Sequence, residues 1–367
     1  MTNRRDARSL TLAELQEAVI AAGERAYRAR QITRRLWNGA ALSFDEMAEL
    51  PAALREYLKQ NFKLEPPTLA AMDRAADGAR KMLLRLEDGE RIESVIIPTD
   101  GRTTLCISSQ AGCAMGCAFC ATARMGLRRN LDAAEILGQI LAARRYLEPG
   151  ENLTNYVFMG MGEPLANYPA LSRALAVMTA EWGMGVSPRR ITVSTVGLVP
   201  AMGRLLAEFQ VNLAVSLHAT DDGLRERLAP INRRWPLAAL LDACAKLPLA
   251  HRRRITFEYV MLAGVNDSPR QARELLRMLT PLRAKVNLIF FNPFEGTPFR
   301  PSSREKVEDF QAILHKGNLT ATIRESRGRD VAAACGQLYA ARRSELEGNA
   351  DGGVSAMEDA WRGRCSE

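Results

Sequence analysis

The segment Gly112-Cys113-Ala114-Met115-Gly116-Cys117-Ala118-Phe119-Cys120 sets three cysteines in a Cys-x3-Cys-x2-Cys pattern. Three thiolates so close must converge on one centre or repel one another. A structural zinc ion takes four protein ligands. A fourth would have to come from a distant cysteine or from His218, His251 or His315. Iron–sulfur clusters also commonly take four cysteines, but three on a cubane leave one iron open to a small molecule. A trio of small buried hydrophobes is the remaining reading.

Other side chains could act beside that trio. Glu93 shares a strand face with Val95 and Ile97, while Ile92, Ser94 and Ile96 take the other. If its face is covered, the carboxylate must be paired or hold a raised pKa; on an edge strand it would stand in solvent. Cys106 alternates with Thr104 and Ser108 on the segment entering the trio, which puts it near the same centre. Cys335 follows an arginine-rich turn and the run Ala332-Ala333-Ala334, and Cys244 lies between two alanines on a helix. A free cysteine is commonly a small core residue, the reading kept for Cys244.

These residues need elements to position them. Strands are expected at residues 81–86, 91–98 and 103–109, separated by the hairpin signals Asp88-Gly89 and Asp100-Gly101. Strand patterns then recur at 155–160, 190–196, 211–218, 255–262 and 285–292, with a further one at 320–324. Helical patterns fall between and after them at 133–146, 168–182, 269–279 and 304–314. Six strand-then-helix units predict an α/β fold with a parallel sheet, either doubly wound or an incomplete (β/α) barrel. Gly162-Glu163 closes the second strand of that series, and Ser194, Ser216, His218 and Asn292 end the third, fourth and sixth. That is the sheet end where α/β sites are built. Glu163 can accept hydrogen bonds from an ammonium, and Gly162 lets a ligand approach the backbone.

The first sixty residues read as helices. Thr11 and Glu14 form a capping box before the stripe Leu12, Leu15, Val19 and Ala22. A basic helix at 26–37 carries Arg28, Arg30, Arg34 and Arg35. Ser43 and Glu46 repeat the capping signal, and Pro51 starts a third helix. The expected organisation is a helical module at 1–66, a β-hairpin extension at 67–102, a core at 103–345 and a loose tail at 346–367.

The 367 residues carry 50 Lys and Arg against 42 Asp and Glu, a net charge of +8, and only 7 of the bases are lysine. Arginine forks bind phosphate in a bidentate manner, so RNA or DNA is a candidate partner. Composition at 47% hydrophobic and 25% charged excludes disorder and a disulfide-stapled miniature. The N-terminus lacks the apolar core of a signal peptide, and no apolar run reaches the ~20 residues of a membrane span. A cytoplasmic protein keeps its thiols reduced, so clustered cysteines point to metal or redox chemistry.

The trio, with Phe119 before its last cysteine, resembles the signature loop of radical S-adenosylmethionine enzymes. Further segments resemble one subfamily, the dual-specificity RNA adenine-C2 methyltransferases. They are Ser108-Ser109-Gln110, Ala121-Thr122-Ala123, Arg129-Asn130-Leu131, the run from Met159 to Pro164, and Ser194-Thr195-Val196-Gly197. Ser216-Leu217-His218, Asn292-Pro293, and Arg327-Gly328-Arg329-Asp330 followed by Cys335-Gly336 complete the set. The similarity spans residues 10–343 with no departure at a motif position. It implies a partial (β/α)6 radical-SAM barrel. Cys113, Cys117 and Cys120 would hold a [4Fe–4S] cluster with an open iron, and Gly162, Glu163, Ser194, Ser216, Leu217, His218 and Asn292 would bind S-adenosylmethionine. Cys335 would carry a methyl group, Cys106 would resolve the adduct through a transient disulfide, and Glu93 would handle a proton. Implied partners are 23S ribosomal RNA, transfer RNA and an external reductant such as flavodoxin, for a protein expected to be a monomer. The nearest alternatives are a C8-methylating relative with the same cysteines and a zinc-stabilised RNA-binding protein without catalysis. The motif Arg129-Asn130-Leu131 favours C2.

Overall fold

A computed structural model describes residues 4–39 and 41–339; the tail expected at 346–367, with Cys365, and the last residues of the expected core lie outside the described residues. The chain opens with α1 (Leu12–Ala21), α2 (Arg28–Trp37) and α3 (Ala52–Asn61). The Thr11–Glu14 capping box starts α1, which buries Leu15 and Val19. The second capping signal yields only one 3-10 turn, Phe44–Glu46, because the Ser43 hydroxyl donates to the Glu46 carboxylate rather than capping the backbone.

Ten strands then form one sheet in unbroken chain order. They are β1 (Thr68–Arg74), β2 (Arg80–Arg85), β3 (Arg91–Thr99), β4 (Arg102–Cys106), β5 (Leu153–Phe158), β6 (Ile191–Thr195), β7 (Asn212–Ser216), β8 (Ile255–Met261), β9 (Ala284–Phe290) and β10 (Ala321–Arg324). Strands β1 to β4 pair antiparallel, and every pairing from β4 onward is parallel. Parallel neighbours need crossovers. Those are α4 (Ala133–Arg145), α5 (Tyr168–Thr179), α6 (Val199–Glu208), α7 (Asp222–Leu228) with α8 (Leu237–Ala245), α9 (Pro269–Leu279) and α10 (Arg304–Lys316). The result is a parallel α/β sheet of six strand-then-helix units, as expected, extended at one end by an antiparallel meander. All seven residues of β8 are buried, as expected of a parallel strand covered on both faces.

Two local expectations change. The 67–102 segment contributes three strands rather than a hairpin; the added strand β1 (Thr-Leu-Ala-Ala-Met-Asp-Arg) is poor in the β-branched and aromatic residues that mark a strand and is held by its pairing with β2. The strand expected at 103–109 stops at Cys106. The Gln139 side-chain amide takes the place of a strand partner for Ser108, accepting from its N–H at 2.8 Å and donating to its carbonyl at 2.9 Å. The chain then turns into a short hairpin, Gln110–Gly112 paired with Leu127–Asn130. Among the described residues no helix is long and apolar enough to cross a membrane.

Candidate active site

The carboxyl ends of the parallel strands and the loop after β4 enclose a cleft of about 930 Å³, into which Cys113, Cys117 and Cys120 all face. The loop bearing them is held by backbone. Gly112 sits at φ 77°, where a Cβ would come within 1.9 Å of the Gly126 carbonyl oxygen, so no side chain fits there. Cys113 N–H donates to Gly126 O at 2.9 Å, and Ala118 N–H donates to Leu228 O at 2.9 Å. Burial pushes the Cys113 thiol up to about 11 and Cys117 well above its ordinary value, and raises Cys120 as well. Three thiolates at such a place require a compensating cation.

The opposite wall is built from the ends of β5 to β8. Gly162, at φ 97°, crosses Gln110 so closely that a Cβ would lie 2.5 Å from that side chain. Gln110 in turn accepts the N–H of Glu163 at 2.8 Å. The Glu163 carboxylate accepts from Leu165 N–H at 3.1 Å and Val196 N–H at 2.9 Å, yet burial pushes its pKa up to about 7. Ser194 and Ser216 line the same wall. His218, just past β7, holds φ 61°, an uncommon conformation for a non-glycine residue. Its Nδ1 accepts the Val260 N–H at 3.1 Å, its carbonyl accepts Asn266 Nδ2 at 2.8 Å, and Phe119 meets its ring edge-on at 4.4 Å. Burial, and then the Arg225 charge, push His218 down to about 3, so the ring is neutral. With Nδ1 accepting, the proton sits on Nε2, which is buried without a hydrogen-bond partner in the wall of the cleft.

Cys335 enters the cleft from the C-terminal segment. That segment is pinned by Ala121 N–H to Gly336 O at 2.7 Å and by the Thr122 hydroxyl to Leu338 O at 2.7 Å. Asn292 does not line this cleft. It borders the neighbouring one, where its Nδ2 donates to the Cys335 carbonyl at 3.2 Å and its buried Oδ1 has no partner. Leu217 is fully buried in the main core, and its N–H donates to Glu258 O. Cys106 is buried behind the cleft, where burial and then the nearby Cys335 push its thiol up to about 12 against the pull of Arg324. Cys106 and Cys335 are both free thiols. Glu93 lies on the interior strand β3, so its face is covered, and it borders a separate cleft. Cys244 is a buried residue of the main core.

Sequence reasoning missed Glu258 and Arg324, and it named Gln110 only within a motif, without a role. Glu258 is a lone carboxylate in the otherwise apolar β8 segment Ile-Thr-Phe-Glu-Tyr-Val-Met, which was a usable signal. Burial raises its pKa, its Oε1 accepts Asn287 Nδ2 at 3.0 Å, and its Oε2 is unpartnered. Arg324 ends β10, lines the cleft and feels the charges of Cys335, Glu258 and Cys106, with Cys335 the strongest influence.

The donor set suits a cluster better than a single ion. Three cysteines line one cleft, yet among the described residues no three His, Cys, Asp or Glu side chains gather as around one metal ion. A cubane holds its ligands further apart than one ion does. The unpaired His218 Nε2–H and Glu258 Oε2 offer a donor and an acceptor to a polar ligand beside it.

Comparison with known proteins agrees with this geometry. Residues 107–276 match the Radical SAM superfamily, and residues 7–64 match the Ribosomal RNA large subunit methyltransferase N-terminal domain. The chain is 47% identical to "Dual-specificity RNA methyltransferase RlmN" of Syntrophus aciditrophicus, over 92% of this chain and 97% of the relative. It is 50% identical to the protein of that name in Anaeromyxobacter dehalogenans, over 91% of this chain and 92% of the relative. A crystal structure of a radical SAM methyltransferase from Sphaerobacter thermophilus superposes with a TM-score of 0.88 at 48% identity, covering 92% of this chain and 99% of that one. The chain therefore belongs to the dual-specificity RNA methyltransferase family of the radical SAM superfamily, and it is a methyltransferase whose cofactors are a [4Fe–4S] cluster and S-adenosylmethionine.

Proposed function

We propose that the protein methylates C2 of an adenine in the peptidyl-transferase region of 23S ribosomal RNA, and of the adenine 3′ of the anticodon in transfer RNA. The observation that carries this reading is the convergence of Cys113, Cys117, Cys120 and Cys335 on one cleft, with Cys106 buried behind it. An aromatic C2 carbon is too weak a nucleophile to displace a sulfonium methyl directly, so a radical route is needed, and the family resemblance implies that Cys335 carries the carbon.

Cys113, Cys117 and Cys120 hold the cluster, and Gly162, Glu163, Ser194, Ser216, the Leu217 backbone, His218 and Asn292 surround S-adenosylmethionine. When bound, these cofactors supply an electron and a radical able to take a hydrogen atom from a methyl group. Cys335 accepts a methyl on Sγ from one S-adenosylmethionine and loses its thiol proton; a second cofactor molecule is consumed in activating that methyl. The activated carbon joins C2 of the adenine, and Glu93 accepts the C2 proton. Cys106, relieved of its own proton, attacks Sγ of Cys335. An S–S bond forms as the bond from that sulfur to the new carbon breaks. The released carbon takes up a proton to complete the methyl group, and the unpaired electron left by the radical step passes back to the electron-supplying system as the methylated base departs. An external donor such as flavodoxin supplies the reducing electrons. Arginines grip the RNA backbone while the base leaves its stack. The protein acts in the cytoplasm as a monomer.

The test is nucleoside mass spectrometry after anaerobic incubation with both RNAs, S-adenosylmethionine and reductant. Co-elution with 2-methyladenosine is expected from each RNA. Co-elution with 8-methyladenosine would assign the chain to the C8 chemistry, and an unmodified adenine would sink the reading.

A further inference from the structure

We propose that Lys81 is a positioning residue for proton removal: it keeps Glu93 ionised and ties it to the segment that carries Cys335. This rests on the assignment of Glu93 as the proton acceptor.

The sheet register brings the participants together. Lys81 pairs with Val95, and Val95 pairs with Cys106, so these three form one cross-strand row. Glu93, opposite Leu83, lies two residues along on the same face. Lys81 is only 6% exposed and Glu93 only 2%, so water stabilises neither charge. The Lys81 Nζ is 3.3 Å from Glu93 Oε1 and donates to the Ala332 carbonyl at 3.3 Å, with Asp73 Oδ2 at 3.8 Å. The other Glu93 oxygen accepts the Tyr339 N–H at 2.7 Å. Ala332 and Tyr339 bracket Cys335, so one ammonium and one carboxylate hold both ends of that segment.

An ion pair serving stability alone is replaceable by apolar side chains of similar size. This one borders a solvent-open cleft beside Phe294, Gln337 and Tyr339, through which a planar base can approach. Among the described residues, the charged groups near Glu93 include Lys81 on β2, Asp73 on β1 and, lining the same cleft, Arg124 and Glu295. Cys106 on β4 shares the face. Of these, Lys81 is the cation in ion-pair contact with the carboxylate. Removing that ammonium shifts the buried carboxyl toward its protonated form, in which it cannot accept another proton. In the step itself the proton moves from C2 to a Glu93 oxygen, and Lys81 keeps its own.

The experiment compares Lys81→Met, Lys81→Gln, Lys81→Arg and Glu93→Gln in the cluster-loaded enzyme with RNA, S-adenosylmethionine and reductant. Lys81→Met should acquire the Cys335 methyl, form the covalent RNA adduct and stall there, with turnover down about 100-fold, the low end for a lost general base. Its turnover should recover as pH rises, because the neutral Glu93 carboxyl then ionises. Lys81→Gln keeps a donor for Ala332 O without the charge, so it should show the same high-pH recovery even if the methionine variant fails to fold. Lys81→Arg should restore most turnover at neutral pH, and Glu93→Gln should stall at every pH. A parental pH profile in Lys81→Gln beside a stalled Glu93→Gln would overturn the role of Lys81. Normal turnover by Glu93→Gln would instead overturn the assignment of Glu93 itself.

Discussion

At the antiparallel end of the sheet, both Glu93 oxygens are engaged, one by the Lys81 ammonium and one by the Tyr339 N–H. At the parallel end, Glu258 keeps Oε2 unpartnered, and His218 keeps its Nε2–H unpartnered. Both ends are equally buried, so solvent access does not explain the difference. An unmet buried polar group costs about 1–3 kcal/mol, and two of them border the one cleft that also gathers the cysteine trio. The parallel end is built to be completed by a ligand. At the antiparallel end the Glu93 carboxylate is already engaged, which holds it and the Cys335 segment in place for proton transfer.

Variants at the two ends should therefore fail differently. Replacing Cys113, Cys117 or Cys120 by Ala should remove bound iron and abolish cofactor cleavage, read by iron assay and by release of 5′-deoxyadenosine. Glu93→Gln should retain its iron and cleave cofactor. Equal loss of iron in both sets would erase the distinction between the ends.

Cys335 and Cys106 sharpen the contrast across the boundary. Cys335→Ala should never acquire a protein-bound methyl. Cys106→Ala should be methylated and should reach the base, then stall with RNA attached, because alanine offers no sulfur to attack the thioether. Denaturing gels should show a nuclease-sensitive shifted band for Cys106→Ala alone. Free turnover by that variant would make Cys106 a packing residue.

The parallel end was the more legible in sequence. Its strand ends are marked by apolar runs followed by Gly162-Glu163, Ser194, Ser216 and His218, and the cysteine spacing is local. The antiparallel end was read only in part. Alternation placed Glu93 on a face with Val95 but could not say which face is covered, since that depends on Lys81 of β2 and on the distant Tyr339 segment that closes over it. Lys81 in the segment Arg-Lys-Met-Leu-Leu-Arg looks like an ordinary surface residue until the register sets it beside Glu93. Arg324 likewise joins the site only through the tenth strand. Pairings between segments more than two hundred residues apart leave no local periodicity to detect.

The same contrast between engaged and open charge divides the arginines of α2. Arg28 is tied to Gln31, the Glu49 carbonyl and Glu24, and Arg35 to the Glu46 carbonyl and Glu49. Arg30 and Arg34 are exposed. Arg30→Gln with Arg34→Gln should flatten the salt dependence of RNA binding by about 0.7–0.9 in log–log slope for each phosphate no longer neutralised. Arg28→Gln with Arg35→Gln should instead lower stability by about 1 kcal/mol with a smaller change in slope. An unchanged slope in the first pair would return that face to solvent.

The open end can also be tested by pH, in cluster-free protein, where the parent should show almost no net change. Burial raises Glu163 from its ordinary 4.5 to about 7, so between those values the folded state holds a proton that the unfolded state has lost. Its stabilising contribution is complete below pH 4.5 and is lost as pH rises toward 7. Burial, and then the Arg225 charge, lower His218 from 6.5 to about 3, so there the unfolded state takes a proton the folded state refuses. That contribution is complete above pH 6.5 and is lost as pH falls toward 3. The two slopes, each about 1.4 kcal/mol per pH unit, oppose one another between pH 4.5 and 6.5 and should leave a plateau. Urea melts across that window should show Glu163→Gln gaining stability relative to the parent as pH rises. His218→Gln should lose stability over the same range, because the Glu163 slope is then unopposed. A plateau surviving in both variants would mean that neither group is held out of its ordinary titration, and the parallel end would no longer differ from the antiparallel one in awaiting a ligand.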